Sequence, residues 1–132
     1  EIRDIPEVYR LEYLHTISGT GTVPSATVRV RVEGKGEVQH AAWGDGPVDA
    51  TYKAIALATS TAVSVEDYTI RAVTGGAEAM GEVIVKLAEN GANATGRGAS
   101  TDIIEASGKA YIDALNRLAM RVAAQPERAE GV

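Results

Sequence analysis

From Tyr9 to Ile17 the chain alternates, with Tyr9, Leu11, Tyr13, His15 and Ile17 on one side and mostly polar residues on the other. That period of two predicts a half-buried strand. Ser18-Gly19-Thr20-Gly21-Thr22 and Pro24 break the pattern, and Val28, Val30 and Val32 then alternate with Arg29 and Arg31 as a second strand. Gly34-Lys35-Gly36 is the expected hairpin turn, and Val38 to Trp43 returns as a third strand. At Gly44 the period becomes helical, with Val48, Tyr52, Ile55 and Thr59 on one face. The second half repeats the order. A strand is expected around Tyr68 to Val73, a turn at Gly75-Gly76, and a strand with Val83, Val85 and Leu87 inward. Asn90-Gly91 tolerates the positive φ that a type I′ hairpin demands, and a short strand through Ala94 follows. Ser100, Thr101 and Asp102 are candidate caps for a helix whose buried stripe is Ile104, Tyr111, Leu115, Leu118 and Val122. Arg117 and Arg121 suit its C-terminal dipole and Pro126 ends it.

The two halves share more than their order. Each contains Gly-X-Gly before an Ala-rich helix, Gly44-Asp45-Gly46 in one and Gly96-Arg97-Gly98 in the other. Asp49-Ala50-Thr51-x-Lys53-Ala54 aligns with Glu105-Ala106-Ser107-x-Lys109-Ala110. The aligned acid stands three residues after the second glycine in the first copy and seven after it in the second, a difference of about one helical turn. Such an insertion keeps a helix's buried face in register, so the pattern reads as a duplication. The fold class expected is α+β, two βββα units related by a pseudo-twofold axis, with sheets packed by two helices. Residues 1–124 form one domain on this reading and 125–132 a flexible tail.

Composition narrows the function. With 132 residues, 45% of them hydrophobic, the chain suits one domain with a modest core. Its 18 acids and 13 bases are scattered, leaving neither a nucleic-acid footprint nor a basic membrane face. No cysteine is present, which excludes a disulfide framework and a thiolate metal site, and no apolar run has the length of a signal peptide or membrane span. The start at Glu1 without methionine suits an excised piece or a processed terminus.

The Gly-X-Gly turns invite a phosphate-loop reading, but Asp45 is negative, Pro47 removes an amide, and no nucleotide-loop lysine follows. Arg97 favours an anion in the second copy, yet neither nucleotide spacing is met. The plainer reading is two tight strand-to-helix turns. A small anion such as an amino-acid carboxylate remains compatible with free helix amides. His15 and His40 stand far apart and make no metal cluster, and no serine sits in a nucleophile elbow. Asp49, Glu66, Asp67 and Glu105 read as solvated or capping acids, and Lys53 and Lys109 as surface residues with an ion-pair role next.

Three segments carry a resemblance: Gly44-Asp45-Gly46-Pro47-Val48-Asp49-Ala50-x-Tyr52-Lys53-Ala54, Ala79-Met80-Gly81-Glu82-Val83, and Gly96 through Ser107. Together they closely resemble the C-terminal allosteric dimerisation domain of α-isopropylmalate synthases and their citramalate synthase relatives, from about Tyr9 to about Ala119. The resemblance implies a non-catalytic regulatory module that pairs with its twin and binds the pathway's end product at the dimer interface. Its parent would be a cytoplasmic acyltransferase condensing acetyl-CoA with a 2-oxo acid in a TIM barrel. The divalent metal and its histidines would belong to that barrel, so no cofactor is expected in this chain. Carried over by motif, the effector residues are Gly46, Val48, Asp49, Val65, Tyr68, Ala72, Ala79, Gly81 and Ile103. Asp45 stands where the family often has Asn, and Asp49 where a small residue is common, departures that bear on the local charge.

The physical reading agrees with the resemblance. Val48, Val65, Ala72 and Ile103 suit a branched side chain, backbone near Gly46 and Ala79 suits the charged head, and Tyr68 has a polar handle to orient it. By themselves these are also plain core residues. L-leucine is favoured as effector because Tyr9-Arg10-Leu11-Glu12-Tyr13 looks closer to isopropylmalate enzymes. One methylene is worth only about 1–3 kcal/mol in an apolar pocket, so isoleucine binding in a citramalate synthase is the alternative. A pure dimerisation module without effector is another, and a small enzyme built from scattered acids and Arg97 a third. A double-stranded-RNA binder lacks its basic stripe.

Overall fold

The computed structural model describes residues 5–73 and 79–124. Its elements run β1 (Tyr9–Ile17), β2 (Ser25–Val32), β3 (Gly36–Trp43), α1 (Pro47–Thr59), β4 (Ser64–Val73), β5 (Met80–Glu89), β6 (Ala92–Ser100) and α2 (Ile103–Ala124). They form two antiparallel three-stranded sheets, β1-β2-β3 and β4-β5-β6, each followed by a helix, so the α+β class and the doubled βββα order hold. The expected turn at Gly75-Gly76 and the tail 125–132 lie outside the described residues.

The two middle strands carry the core because each is paired on both edges and covered on one face. Ala26, Val28, Val30 and Val32 of β2 and Val83, Val85 and Leu87 of β5 are buried, as their alternation requires. The hairpins follow their turn chemistry. Gly34 and Gly36 sit at φ +85° and +87°, and Asn90 and Gly91 at +51° and +83°, the doubly positive pair of a type I′ turn.

Two outer strands depart from simple alternation. The β1 register shifts between Leu11 and Tyr13, so Glu12 occupies a bulge. One extra residue reverses which side chains face inward. Leu14 and Thr16 therefore lean on the core, whereas Tyr13, His15 and Ile17, expected on the inner side with Leu11, are exposed. Outside, Tyr13 stacks on His15 and carries the Arg29 guanidinium 4.4 Å from its ring centre. The matching strand β4 bulges at the matching place, between Val65 and Asp67, and begins at Ser64 instead of near Tyr68.

The second Gly-X-Gly is not a turn. β6 continues past Ala94 to Ser100, and Gly96 and Gly98 lie inside it, buried. A Cβ on Gly96 would strike the Ala110 carbonyl and the Ala114 backbone, and one on Gly98 the Ala106 carbonyl and, at 2.6 Å, the Ala110 nitrogen. Ala106, Ala110 and Ala114 of α2 are fully buried against this strip. The glycines are there to let the helix backbone approach the strand. The counterpart of the Gly44–Gly46 turn is Ser100-Thr101-Asp102, where Asp102 Oδ1 accepts from the Ile104 amide at 2.9 Å.

The helix repeat itself is structural. Asp49 and Glu105 both take the third helical position, and Ala50 with Ala106, Thr51 with Ser107 and Ala54 with Ala110 are fully buried. Thr51 Oγ1 donates to the Pro47 carbonyl at 2.7 Å, and Ser107 Oγ to the Ile103 carbonyl at 2.8 Å. Lys53 pairs with Asp49 at 3.2 Å and Lys109 with Glu105 at 3.9 Å. The four-residue offset thus lies in β6, not in the helix. Tyr111, Leu115 and Leu118 of the expected stripe are buried, but Val122 is 51% exposed. Leu118 already packs on Ala92 and Ala94 at the start of β6, so the last turns of α2 run past the sheet.

Because the glycine strip meets backbone and not flexible side chains, Gly96→Ala is expected to destabilise the fold by about 1–3 kcal/mol in urea unfolding. Gly46→Ser, at an extended position with nothing near its Cβ, should shift stability by less than about 0.5 kcal/mol.

Candidate functional site

The expected site residues fall into two groups on facing elements. Gly46, Val48 and Asp49 open α1. Gly46 is its N-cap in extended conformation without a side-chain cap, and Pro47 fills the first helical position, where no amide partner is needed. Val48 is half-buried against the core. Asp49 closes its own loop: Oδ2 accepts from the Asp45 amide at 2.9 Å and pairs with Lys53. Gly44 permits this, since a Cβ there would stand 2.5 Å from Asp49 Oδ2. The Asp45 amide holds the Asp49 carboxyl below the usual aspartate range, partial burial opposes that, and Lys53 adds to it. The Asp45 amide of this loop, the Ile104 amide at the capped start of α2, and the Arg97 amide, which donates to Asp113 Oδ2 at 3.0 Å, are each taken by a carboxylate of the chain itself.

The second group lines one face of β4 and β5. Val65, Tyr68, Ile70 and Ala72 stand opposite Leu87, Val85, Val83 and Gly81, and cross-strand partners share a face. This is the side that α2 covers on β5 and β6, yet among the described residues no Cα of β4 comes within 8 Å of either helix. Val65 and Ile70 remain 45% and 49% exposed. At one end Ile103 leans into the space left by Gly81, with its Cδ1 2.6 Å from where a Cβ would stand. In the middle Tyr68 reaches across to α2, its hydroxyl 3.0 Å from Ser107 Oγ. The structure therefore brings together Tyr68, Ala72, Gly81 and Ile103. Val65 lies farther along the strand, and Ala79 sits exposed just before β5.

A tyrosine cluster joins the groups. Tyr52, one turn after Val48 on the same face of α1, meets Tyr68 edge-on at 6.2 Å and stacks on Tyr111 at 4.5 Å. Burial pushes the Tyr111 hydroxyl up to about 12. Burial raises the Tyr52 hydroxyl further, with Tyr68 adding to the effect and nearby Ser107 opposing it. Ser107 is close, but its bonds go to Ile103 and Tyr68, and the Tyr52 hydroxyl has no partner. Sequence reasoning placed Tyr52 only as a helix face and missed Ser107 and Ile70 as site residues. The matching Thr51 and Ser107 hydroxyls in the repeat were the available signal for Ser107.

Other candidate chemistry is dispersed. His15 and His40 are exposed on the two outer strands of the first sheet, and the described residues contain no group of three metal-ligating side chains. Among the described residues the carboxyls with displaced pKa, Glu12 beside Arg31 and Asp49, are both lowered, the opposite of a general acid. Arg97 lies 3.8 Å from Glu82, which also pairs with Arg71. No described helix is long and apolar enough to cross a membrane.

The family model described as LeuA allosteric (dimerisation) domain matches residues 1–119. A 2-isopropylmalate synthase of Carboxydothermus hydrogenoformans is 49% identical over 129 residues, covering 97% of this chain and 25% of that protein. Those of Heliobacterium modesticaldum and Dictyoglomus turgidum are 52% and 48% identical over 118 and 121 residues, covering 89% and 91% of this chain and 23% and 24% of those proteins. The chain thus spans about a quarter of the length of the curated relatives it matches.

Two outcomes follow from the local chemistry. Tyr52→Phe removes a buried hydroxyl that makes no bond, and is expected to raise unfolding stability by about 1 kcal/mol. Asp49 has a lowered folded pKa, so its contribution is present above the ordinary value of 3.8 and is lost as pH falls through the lower folded value. Asp49→Asn should therefore be less stable than the natural chain at neutral pH, with the gap closing only below that ordinary value in pH-dependent melts.

Proposed function

The chain belongs to the LeuA allosteric (dimerisation) domain family, and from that premise we propose that it is the regulatory domain of a 2-isopropylmalate synthase. It binds L-leucine between two copies of itself and mediates feedback inhibition of leucine biosynthesis. The observation that carries this reading is the uncovered helix-side face of β4. Its counterpart β1 packs under both helices, whereas β4 leaves Val65, Ile70 and Ala72 open beside Tyr68. A second copy related by a twofold axis supplies the missing cover, because such an interface presents the same patch from both sides. An aliphatic side chain of an amino acid fits between apolar walls of this kind, and backbone near Gly46 and Ala79 is available to its charged head.

Regulation then follows from differential affinity. Only the paired arrangement completes the pocket, so leucine favours that arrangement, with coupling of about 1–3 kcal/mol as the usual scale. The catalytic barrel, its acetyl-CoA chemistry and its divalent metal belong on this reading to the rest of a cytoplasmic parent chain. The 2-isopropylmalate synthases among the relatives support leucine over the isoleucine of a citramalate enzyme.

Calorimetric titration with leucine, isoleucine and valine, with sedimentation in parallel, tests the reading. A dimer that binds leucine in preference to the others is expected, with Tyr68→Ala weakening leucine by tenfold or more, about 1.4 kcal/mol. Preference for isoleucine would move the parent to citramalate synthesis, and a folded dimer silent to all three would leave a dimerisation module.

A further inference from the structure

Asn116 on α2 is only 6% exposed, and both of its polar side-chain atoms are given to one residue. Its Oδ1 accepts from the Tyr9 amide at 2.8 Å, and its Nδ2 donates to the Tyr9 carbonyl at 2.9 Å. A side-chain amide that meets both backbone groups of one residue imitates a neighbouring strand. Tyr9 is the first residue of β1, and the Val8 carbonyl before it accepts from the Glu33 amide at 2.9 Å, so any segment preceding the domain enters the fold at this point. Two residues on, Leu11 packs at Gly108, where a Cβ would stand 3.0 Å from Leu11 Cδ2. An open groove of about 350 Å³ runs along this junction, with Ile5, Glu7 and Tyr9 on one side, Lys109, Ile112 and Asp113 on the other, and the Asn116 bonds to Tyr9 crossing it.

The same helix holds the candidate effector site. Ser107 bonds Tyr68, and Ile103 fills the space over Gly81. Ser107 and Asn116 are nine residues apart on one helix, about 14 Å. We infer that Asn116 is the positioning residue that passes the state of the effector site to the segment before the domain, by fixing the Tyr9 backbone to α2. The inference rests on the leucine reading above and adds the route to it. A ligand that changes the position or order of α2 at Tyr68 changes it also at Tyr9, and the two hydrogen bonds of Asn116 make that change felt by the chain entering the domain.

Hydrogen exchange of the Tyr9 amide, with and without leucine, tests this in the 132-residue chain. Leucine is expected to change the Tyr9 rate about tenfold in the natural chain. Asn116→Ala should abolish that response while leucine affinity by calorimetry stays within about twofold. Asn116→Asp, which keeps an acceptor for the Tyr9 amide, should restore part of it. A merely structural asparagine would lower protection equally with and without ligand. A Tyr9 amide indifferent to leucine in a natural chain that binds it overturns the inference, and so does a response that survives in Asn116→Ala. Should Asn116→Ala fail to fold, the natural chain's Tyr9 response alone decides. Absence of leucine binding in calorimetry would instead overturn the effector reading, and this inference with it.

Discussion

The rest of the structure depends on how closely α2 lies on β6. Gly96 and Gly98 carry no side chain where the helix crosses them, and the helix answers with Ala106, Ala110 and Ala114, all fully buried. Small residues on both sides bring backbone to backbone, and every longer reach from α2 is set by that seam. Ile103 meets Gly81, Ser107 meets Tyr68, and Asn116 meets Tyr9 because the helix axis is fixed near the sheet. Asp113 reinforces the seam by accepting from the Arg97 amide on the outer edge of β6 while it pairs with Arg117 at 3.0 Å. An edge amide satisfied in this way is also removed from unwanted strand pairing.

The duplicated plan is kept in the helices and broken at the outer strands. Both helices use an acid at the third position, a lysine one turn later, a hydroxyl that bonds back to the preceding turn, and the same buried alanines. Both outer strands bulge at an acidic residue, Glu12 in β1 and Glu66 in β4. Yet β1 lies under α1 and α2 together, and β4 lies under neither. A domain with two equal halves would satisfy itself. Breaking the equality at one strand leaves an apolar face with an unmet requirement for cover, and a second copy meets it in the proposed assembly without any new element.

Much of this was legible in the chain. Period-two valines located β2 and β5, because a middle strand is buried on one face whatever its neighbours do. Asn90-Gly91 located its hairpin, and the Asp49 and Glu105 motifs located equivalent turns of two helices. What escaped depended on partners distant in sequence. The bulge at Glu12 turned Tyr13, His15 and Ile17 outward, and nothing in their alternation marks the extra residue. Gly-X-Gly reads as a turn when followed by a helix, and its role as a contact strip appears only once α2 folds back over β6. The nine effector positions came from family likeness. The structure brings Tyr68, Ala72, Gly81 and Ile103 together, and beside them it adds the Tyr52 and Ser107 hydroxyls, of which only Ser107 had a signal, its match to Thr51 in the repeat.

The division of labour within this small domain bears on how an effector would act through it on the proposed reading. Apolar enclosure is deficient at β4, and polar pairing is incomplete nearby, with Tyr68 tied to Ser107 but the Tyr52 hydroxyl unpartnered. A ligand of mixed character addresses both conditions at once, since it adds apolar cover and a polar group in the same place. On the proposed reading, occupancy and pairing of two copies are then linked by mass action, because whatever binds only the complete site stabilises the assembly that forms it. No large rearrangement is needed for that linkage. A helix held by its glycine seam to β6 is also tied by Asn116 to the first residue of β1, so its position is carried to Tyr9. On the proposed reading, the place that follows the helix is therefore the place where the chain enters the fold.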